Sequence, residues 1–225
     1  MERKKVVKVI IIQARSGSKR FPNKIFQNFF GNPYILNVIK SFDKKKFDMK
    51  VVATTKDKSD DKLVKLLKKN KYNFFRGSTD NLILRYYKCA LEIKKRFKIS
   101  DFKIQRICAD MPFIDDSMSE LSFDILRKKI DYVAYPDYLL DGYNVETFWF
   151  SSLSKLCKKK LSKYECEHIG PGFRNKGFNV TKIPKSFAVF KNKINLSLDY
   201  KKDLKFLKKI EKKILKTHKK KTSIS

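Results

Sequence analysis

The chain of 225 residues is poor in glycine, proline, cysteine and histidine, with 7, 6, 4 and 2 of each. So little glycine and proline excludes a collagen-like repeat and a linker-like chain. The cysteines, Cys89, Cys108, Cys157 and Cys166, include no Cys-x-x-Cys pair, so neither a disulfide framework nor a zinc ribbon is expected. They are expected to be structural thiols.

Long apolar runs are also missing. The longest one near the N-terminus, residues 6–12, is interrupted by Lys8 and leads into Gln13 and Ala14, unlike a membrane span or a signal peptide. With 42% hydrophobic residues, a chain of this length buries roughly 70 to 75% of its unfolded surface. We expect a cytoplasmic protein without membrane insertion, one domain over residues 1–217 and a disordered tail over 218–225.

Positive charge is the strongest compositional bias, since 54 Lys and Arg against 23 Asp and Glu give a net charge of +31. Such a charge is typical of nucleic-acid binding. However, 45 of the cations are Lys and only 9 are Arg, the residue best shaped for bidentate phosphate and base contacts. Residues 130–154 contain no cation at all. The pattern favours a chain-wide bias without a specific nucleic-acid partner, and a lysine-rich RNA-binding protein is the less favoured alternative.

Strand and helix patterns alternate along the first 135 residues. A short, largely β-branched run predicts a buried strand at residues 6–12, and further strands are predicted at residues 51–54, 72–75, 102–108 and 132–135. Helical spacing predicts helices at residues 32–41, 60–69 and 117–129, and one capped by Asp80. Asn32 is the expected cap of the first helix, with Pro33 in its first turn. This order predicts an α/β fold, a doubly wound and mostly parallel sheet with helices on both faces.

The alternation weakens between residues 136 and 184, where aromatic, Gly and Pro residues predict a small inserted arm. A returning strand is expected at residues 194–198. From Tyr200 onward, Leu204, Leu207, Ile210 and Ile214 repeat at helical spacing in a lysine-rich helix. We expect this helix to cover the sheet with its apolar face, and the alternative is a basic helix on a membrane or a partner.

The segment after the first strand carries the first candidate site. Within ten residues it places four cations and two hydroxyls around one glycine, Arg15-Ser16-Gly17-Ser18-Lys19-Arg20-Phe21-Pro22-Asn23-Lys24. Ligands of open parallel sheets bind at the carboxyl ends of strands, and this composition suits a polyphosphate. The segment matches neither G-x-G-x-x-G nor the P-loop pattern. Lys19 alone is interpreted as a solvated cation of a lysine-rich chain.

Two aspartates are candidate metal ligands. Asp110 follows the fourth predicted strand, and Asp199 follows the returning strand just before the last helix. Two carboxylates would hold Mg²⁺ while leaving its other positions to water and phosphate oxygens. A helix N-cap explains Asp199 about as well, and Asp115 or Asp116 is expected to cap the helix that follows Asp110.

Eight ordered segments of the chain resemble one enzyme family. They are residues 11–24, 51–55, 75–78, 84–87, 106–115, 141–146, 165–168 and 198–204. Together they resemble the cytidylyltransferases that activate acidic sugars, namely the acylneuraminate and 3-deoxy-manno-octulosonate cytidylyltransferases, and most of all the spore-coat polysaccharide group. The resemblance implies a nucleotide-diphospho-sugar transferase-like fold, CTP and an acidic sugar as substrates, a CMP-sugar and pyrophosphate as products, and a homodimer.

The resemblance also implies roles for individual residues. Nucleotide-binding positions are Ala14, Arg15, Ser18, Arg20, Lys24 and Arg106, of which Arg15 and Lys24, with Asp110, are the implied catalytic residues. Asp110 and Asp199 match the acids that bind Mg²⁺. The sugar side is implied to contain Gly142, Glu146, Glu167 and His168, and Arg174 is added as a nearby cation for the sugar's carboxylate. A structural histidine explains His168 equally well.

Departures from the family pattern concern the sugar side. Asn144 stands where the spore-coat group usually has Asp, Cys166 replaces an Arg, and Ile169-Gly170 precedes the proline after His168. A nucleotide-sugar-dependent glycosyltransferase is the alternative enzyme. Such enzymes usually carry Asp-x-Asp, and no two aspartates of this chain are two positions apart.

Overall fold

A computed structural model describes residues 5–42, 45–187 and 194–222, with side chains described as far as residue 217. The strands are β1 Lys8–Gln13, β2 Asn28–Phe29, β3 Asn32–Pro33, β4 Met49–Thr55, β5 Phe74–Gly77, β6 Lys103–Cys108, β7 Tyr132–Ala134, β8 Glu146–Trp149 and β9 Val180–Lys182. The α-helices are α1 Tyr34–Lys40, α2 Asp61–Lys69, α3 Leu82–Phe97, α4 Asp116–Ile125, α5 Phe150–Cys157, α6 Lys163–Glu167, α7 Ile169–Asn175 and α8 Lys201–Thr222. Short 3₁₀ turns cover Lys24–Phe26, Lys58–Asp60 and Lys185–Phe187.

Seven strands form the central sheet in the order β5-β4-β1-β6-β8-β7-β9. Strand β1 pairs in parallel with β4 and β6, and β4 pairs in parallel with β5. Strand β8 is antiparallel to both β6 and β7, while β9 runs parallel to β7. The predicted α/β architecture with a mostly parallel sheet is confirmed.

Burial of the sheet on both faces explains the continuous apolar sequence of β1. Ile10 and Ile12 pack on one face with side chains of α1, α2 and α4. Val9 and Ile11 pack on the other face with side chains of α3, α5 and α7. All four side chains are fully buried.

Three helix starts can be compared with their predicted caps. Asn32 and Pro33 pair with β2 as strand β3, so helix α1 begins at Tyr34 without a side-chain cap. Helix α3 is capped by Asn81, whose side chain accepts from the Leu84 amide at 2.8 Å, and Asp80 is not its cap. Asp115 caps α4 as predicted.

Residues 136–184 do not stand apart from the sheet. They supply β8 and β9, and β8 lies between β6 and β7. The structure therefore differs from the predicted inserted arm. Strand β8 is antiparallel to its neighbours and is not part of a regular strand-helix-strand repeat, so the sequence pattern gave no sign that it belongs to the sheet. The returning strand predicted at 194–198 is reduced to one parallel bridge, Asp141 with Asn195. Helix α8 continues to Thr222, so the tail predicted from residue 218 begins as helix, and residues 223–225 lie outside the described part.

The last helix packs against the β2–β3 hairpin and α1. Leu207 is buried with Phe29, Tyr34 and Leu198 in a third cluster, to which Leu204 adds a half-buried side chain. The amide of Phe30 donates to the Glu211 carboxylate from the same helix. Helix α8 thus covers the hairpin, and the central sheet is covered by the other helices. Among the described residues, no helix combines the length and hydropathy that crossing a membrane requires.

Candidate active site

A cavity of about 730 Å³ lies at the carboxyl ends of β1 and β6. The two strands pair in register, with Gln13 opposite Cys108, so the segments that follow them leave the sheet at the same level. Ligands of open α/β sheets bind at this kind of crevice. The cavity is lined by Gln13, Ala14, Arg15, Ser18, Lys19, Arg20, Lys24, Ile25, Thr79, Asp80, Leu82, Arg85, Arg106, Cys108, Ala109, Asp110, Lys163, Glu167 and His168.

The loop after β1 is anchored by a buried carboxylate. Asp60 accepts from the Ser16 amide at 2.6 Å, the Thr54 hydroxyl at 2.8 Å and the Thr55 amide at 3.1 Å. Burial raises the pKa of Asp60, but the hydrogen bonds from Ser16, Thr55 and Thr54 outweigh it and leave the pKa below its ordinary value. Asp60 therefore fixes the start of the loop as an anion.

Lys24 connects this loop to both candidate metal ligands. Its Nζ lies 2.6 Å from Asp110 Oδ2 and 3.3 Å from Asp199 Oδ1. The lysine residue is 8% exposed, and a 3₁₀ turn over Lys24–Phe26 holds its backbone. Two aspartates that are distant in the sequence thus meet at the ammonium group of Lys24. All three residues belong to the site predicted from the sequence.

The backbone and a second cation also hold the two aspartates in place. The Leu198 amide donates to the Asp110 carbonyl at 2.8 Å, which ties the two segments together. Arg20 Nη2 lies 2.6 Å from Asp199 Oδ1, and its guanidinium sits 5.0 Å from the centre of the Tyr200 ring. In the described residues the Asp199 carboxylate accepts no helix amide, and Asp203 accepts from the amides of residues 199 and 200.

The two carboxylates fit a magnesium ion. An oxygen of Asp110 and an oxygen of Asp199 lie within 3.3 Å of the same Lys24 nitrogen. Magnesium is commonly bound through one or two carboxylates together with substrate phosphates. No group of three or more potential metal-binding side chains occurs in the described part of the chain. The donor set therefore suits an ion that arrives with phosphate oxygens, and a fully protein-bound metal is not supported.

A buried ion pair supports the cavity wall at β6. Arg106 lies opposite Glu146 of β8 and donates through Nη1 to Glu146 Oε2 and through Nε to Gln13 Oε1 at 3.0 Å. The Tyr132 hydroxyl donates to the other Glu146 oxygen. Burial raises the pKa of Glu146, but the charge of Arg106 and the hydrogen bond from Tyr132 outweigh this effect. The pKa is therefore below its ordinary value, and the group stays ionised.

This pair changes the role expected of Glu146. Both of its oxygens are occupied by Arg106 and Tyr132, and its side chain does not line the cavity, although a sugar contact is predicted. Arg174 lies beside it: a Cβ added to Gly170 would be 3.1 Å from Arg174 Nη1 and 2.7 Å from Glu146 Oε1. The geometry makes Glu146 a support for Arg106.

Gly142 also lies outside the cavity lining, in contact with the segment that leads to Asp199. Its φ is +102°, and a Cβ there would be 2.7 Å from the carbonyl carbon and the Cβ of Leu196. The Leu196 amide donates to the Asp141 carbonyl at 2.9 Å. Gly142 therefore allows a close backbone approach, which differs from the predicted contact with sugar.

Of the other predicted sugar-side residues, Glu167 and His168 line the cavity and Arg174 does not, and Asp199 reaches the site through its contacts with Lys24 and Arg20 without lining the cavity. Glu167 and His168 are exposed on its wall, and the His168 ring lies 4.7 Å from that of Tyr164. The cavity is also lined by residues without a predicted site role, Gln13, Thr79, Arg85 and Lys163, and by Asp80, which was predicted only as a helix cap. Arg85 could have been found, because it lies within one of the eight recognised segments.

The cavity is strongly cationic. Its lining includes the seven cations Arg15, Lys19, Arg20, Lys24, Arg85, Arg106 and Lys163, against the three acids Asp80, Asp110 and Glu167. Oriented cations around a concave site favour a ligand with several negative charges. The cationic lining therefore suits a ligand with several negative charges, such as a nucleoside triphosphate.

Comparisons with known proteins agree with this chemistry. A family model described as "Cytidylyltransferase" matches residues 9–221. The chain is 32% identical over 214 residues to an uncharacterized protein of Methanocaldococcus jannaschii, MJ1063, covering 90% of this chain and 82% of that protein. It is 31% identical over 126 residues to the spore coat polysaccharide biosynthesis protein SpsF of Bacillus subtilis, covering 52% of this chain and 50% of SpsF.

Solved structures show the same fold. A cytidylyltransferase from Leptospira borgpetersenii superposes with a TM-score of 0.79 at 28% identity, covering 98% of this chain and 97% of that one. The CMP:2-keto-3-deoxy-manno-octonic acid synthetase complexed with CTP superposes with a TM-score of 0.63 at 14% identity, covering 94% and 99%. The latter likeness supports the fold alone.

Proposed function

The chain belongs to the cytidylyltransferase family, and from this premise we propose that it activates an acidic sugar with CTP to give a CMP-sugar and pyrophosphate. We further propose that the product serves the synthesis of a surface polysaccharide or glycan. The similarity to SpsF supports this finer statement. The observation that carries the proposal is Lys24, which joins the cationic loop to Asp110 and Asp199.

Binding of the triphosphate is the task of the loop after β1. Arg15 is exposed at the cavity mouth, and Ser18 and Arg20 follow on the same loop. These groups supply charge-assisted hydrogen bonds to phosphate oxygens. Because Asp60 holds the start of the loop, the donors are oriented before the ligand arrives, which lowers the reorganisation that the reaction requires.

The chemical step is an in-line displacement at the α-phosphorus. A hydroxyl oxygen of the sugar forms the new bond to phosphorus, the bond to the pyrophosphate oxygen breaks, and the hydroxyl proton passes to solvent. Lys24 and Arg15 neutralise charge that develops on the phosphate oxygens. Little covalent work falls to the protein, so orientation and electrostatics supply most of the rate enhancement.

Magnesium is proposed as the cofactor, held by Asp110 and Asp199. When bound, the ion supplies Lewis-acid neutralisation of phosphate charge and assists loss of the hydroxyl proton. Lys24 contacts both carboxylates in the present structure, so the lysine must give up at least part of this pairing for the acids to accept the ion. Cytoplasmic location remains a prediction from the sequence pattern, and homodimer assembly remains a prediction from the family resemblance.

The proposal is tested by measuring pyrophosphate release with each of four nucleoside triphosphates against a panel of acidic and neutral sugars. We expect release with CTP, Mg²⁺ and an acidic sugar, and none when chelator is added. CTP at 100 times its Kd should also stabilise the fold by about 2.7 kcal/mol. Pyrophosphate release with neutral sugars but not with acidic ones would refute the acidic substrate. Equal stabilisation of the fold by all four nucleotides would refute selection of CTP.

A further inference from the structure

Lys163, the first residue of helix α6, has no place in the chemistry described so far. We propose that Lys163 is the cation that binds the carboxylate of the acidic sugar. The inference rests on the proposed use of such a sugar and assigns recognition of its charge to one side chain. Lys163 is exposed and lines the active-site cavity, whereas Arg174, the cation predicted for this task, does not line it.

Helix α6 adds a cavity wall that the parallel half of the sheet does not supply. Apart from this helix and His168 directly after it, the described lining residues lie within 13–25, 79–85 and 106–110, at the carboxyl ends of β1 and β6 and between β5 and α3. In doubly wound sheets, a βαβαβ half of this kind binds a mononucleotide. Lys163, Glu167 and His168 come from the later part of the chain. The second substrate is therefore expected on their side of the cavity.

The other cations of the cavity have a partner, a buried position or a place on the phosphate-binding loop. Arg106 is paired with Glu146, and Arg85 is 3% exposed. Lys163 forms no ion pair with any carboxylate in the described part of the chain. The remaining cations follow β1, where the triphosphate is expected, and are Arg15, Lys19, Arg20 and Lys24. Away from that loop, the charge of Lys163 is therefore available to a second anionic substrate.

The backbone that carries Lys163 is held in place by its neighbours. Ser162 and Glu165 form a capping box, in which the Ser162 hydroxyl accepts from the Glu165 amide at 3.2 Å and the Ser162 amide donates to Glu165 Oε2 at 2.8 Å. Asn81, the cap of α3, donates through Nδ2 to Cys166 Sγ at 3.4 Å. Helix α6 is thus capped and tied to the start of α3, so the lysine extends from a fixed backbone.

Lys163 and Glu167 together match the two kinds of polar group on an acidic sugar. They are four positions apart on α6, so they lie on the same face of the helix. Glu167 is exposed and has no ion-pair partner among the described residues, so it can accept hydrogen bonds from sugar hydroxyls. The same carboxylate repels another anion. A sugar that carries one carboxylate and several hydroxyls is therefore oriented with its carboxylate toward Lys163.

The test measures pyrophosphate release by the full chain with CTP, Mg²⁺ and either 3-deoxy-manno-octulosonate or N-acetylneuraminate, each compared with its methyl ester. Lys163→Met removes the charge and keeps an unbranched apolar side chain. We expect the KM for the acid that the parent uses to rise about 10-fold or more, as for loss of a hydrogen bond between charged groups. The Kd for CTP, measured by isothermal titration, should stay within about threefold of the parent value.

The methyl ester separates the carboxylate from the rest of the sugar. It lacks the negative charge, so the parent should use it with a higher KM than the acid, and Lys163→Met should leave that value unchanged. Lys163→Arg keeps the positive charge and should hold the KM for the acid within about threefold of the parent value. The matched control is Lys160→Met, an exposed lysine before the same helix that does not line the cavity, and it should change neither substrate.

The outcomes distinguish this inference from the proposed function. A parent protein that releases pyrophosphate with neither acid overturns the proposed function and the inference with it. A parent that uses an acid, together with a Lys163→Met variant that keeps the same KM, overturns the role of Lys163 alone. An equal rise in the KM for acid and ester, or a matching rise in the Kd for CTP, assigns Lys163 to another part of the substrates and also overturns it. An acid-specific rise in Arg174→Ala but not in Lys163→Met assigns the carboxylate to Arg174 instead.

Discussion

Replacing Glu146 by Gln tests whether the buried ion pair holds Arg106 in place. The side chains of Arg106 and Glu146 are 18% and 13% exposed, and the carboxylate also accepts from Tyr132. Removing one charge of a buried pair typically costs about 3 to 5 kcal/mol, because the other charge stays buried without compensation. We expect the lower end, about 3 kcal/mol, since Gln retains a carbonyl oxygen for Arg106. At about 2 to 4 °C per kcal/mol, the melting temperature should fall by roughly 6 to 12 °C.

The assay is urea unfolding of the parent, Glu146→Gln, Arg106→Met and the double variant. If the two groups act as a pair, the double variant should cost less than the sum of the single variants by about 0.5 to 3 kcal/mol. Calorimetry under the same conditions checks that unfolding is two-state. Additive single effects would refute the argument, because Glu146 would then be stabilised independently of Arg106.

The same carboxyl gives a pH dependence with a defined sign. Its pKa is lowered in the folded protein from the ordinary 4.5. A carboxyl with a depressed folded pKa stabilises the protein above its unfolded pKa, and this stabilisation is lost as pH falls through the folded value. The stability gap between the parent and Glu146→Gln should therefore be constant near neutral pH and shrink below about pH 4.5.

Three further outcomes are expected. Asp110→Asn should keep the far-UV spectrum but lose about 10²-fold or more of its Mg²⁺-dependent turnover. The control Asp116→Asn, whose carboxylate pairs with Lys46 on the surface, should retain its turnover, and equal loss in both variants would contradict the assignment. Gly142→Ala should weaken Mg²⁺ binding in the presence of CTP, measured by titration of the ion, because a Cβ at residue 142 displaces the segment that carries Asp199. An unchanged affinity for Mg²⁺ would show that the position of Asp199 does not depend on Gly142. RNA binding measured by filter retention should be weak and collapse by about 200 mM salt without sequence preference, and tight sequence-selective binding at that salt would instead indicate a specific RNA-binding face.

The parallel half of the sheet could be predicted because its inner strands β1, β4 and β6 are largely buried on both faces. Residues 6–12 form a short, largely apolar run, and residues 102–108 combine apolar residues with Lys103, Gln105 and Arg106. Both segments end in loops that contain residues that meet at the cavity. The antiparallel strand β8 could not be predicted in the same way. Its sequence, Glu-Thr-Phe-Trp, has no regular alternation, and its place between β6 and β7 depends on pairing with strands distant in the sequence.

The candidate site shows the same division. The loop after β1 and Asp110 both follow strand ends, so their positions in the sequence are enough to predict that they lie close together. The role of Glu146 depends on its register opposite Arg106, and that of Gly142 on a contact with Leu196. Neither contact can be recognised from the neighbouring sequence. Sequence reasoning therefore assigns both residues to the sugar side, and the structure shows what they touch.

The strand order also determines when the emerging chain can complete its sheet and its site. Strands β5, β4, β1 and β6 need only the first 108 residues, but β8 must reach its place between β6 and β7 after β7 has been made. During synthesis, at about 5 to 20 residues per second, β6 therefore remains an unpaired edge with apolar side chains, the kind of edge that invites aggregation. Asp199 reaches Lys24 later still, so the nascent chain contains the loop after β1 well before the contact between Lys24 and Asp199 can form.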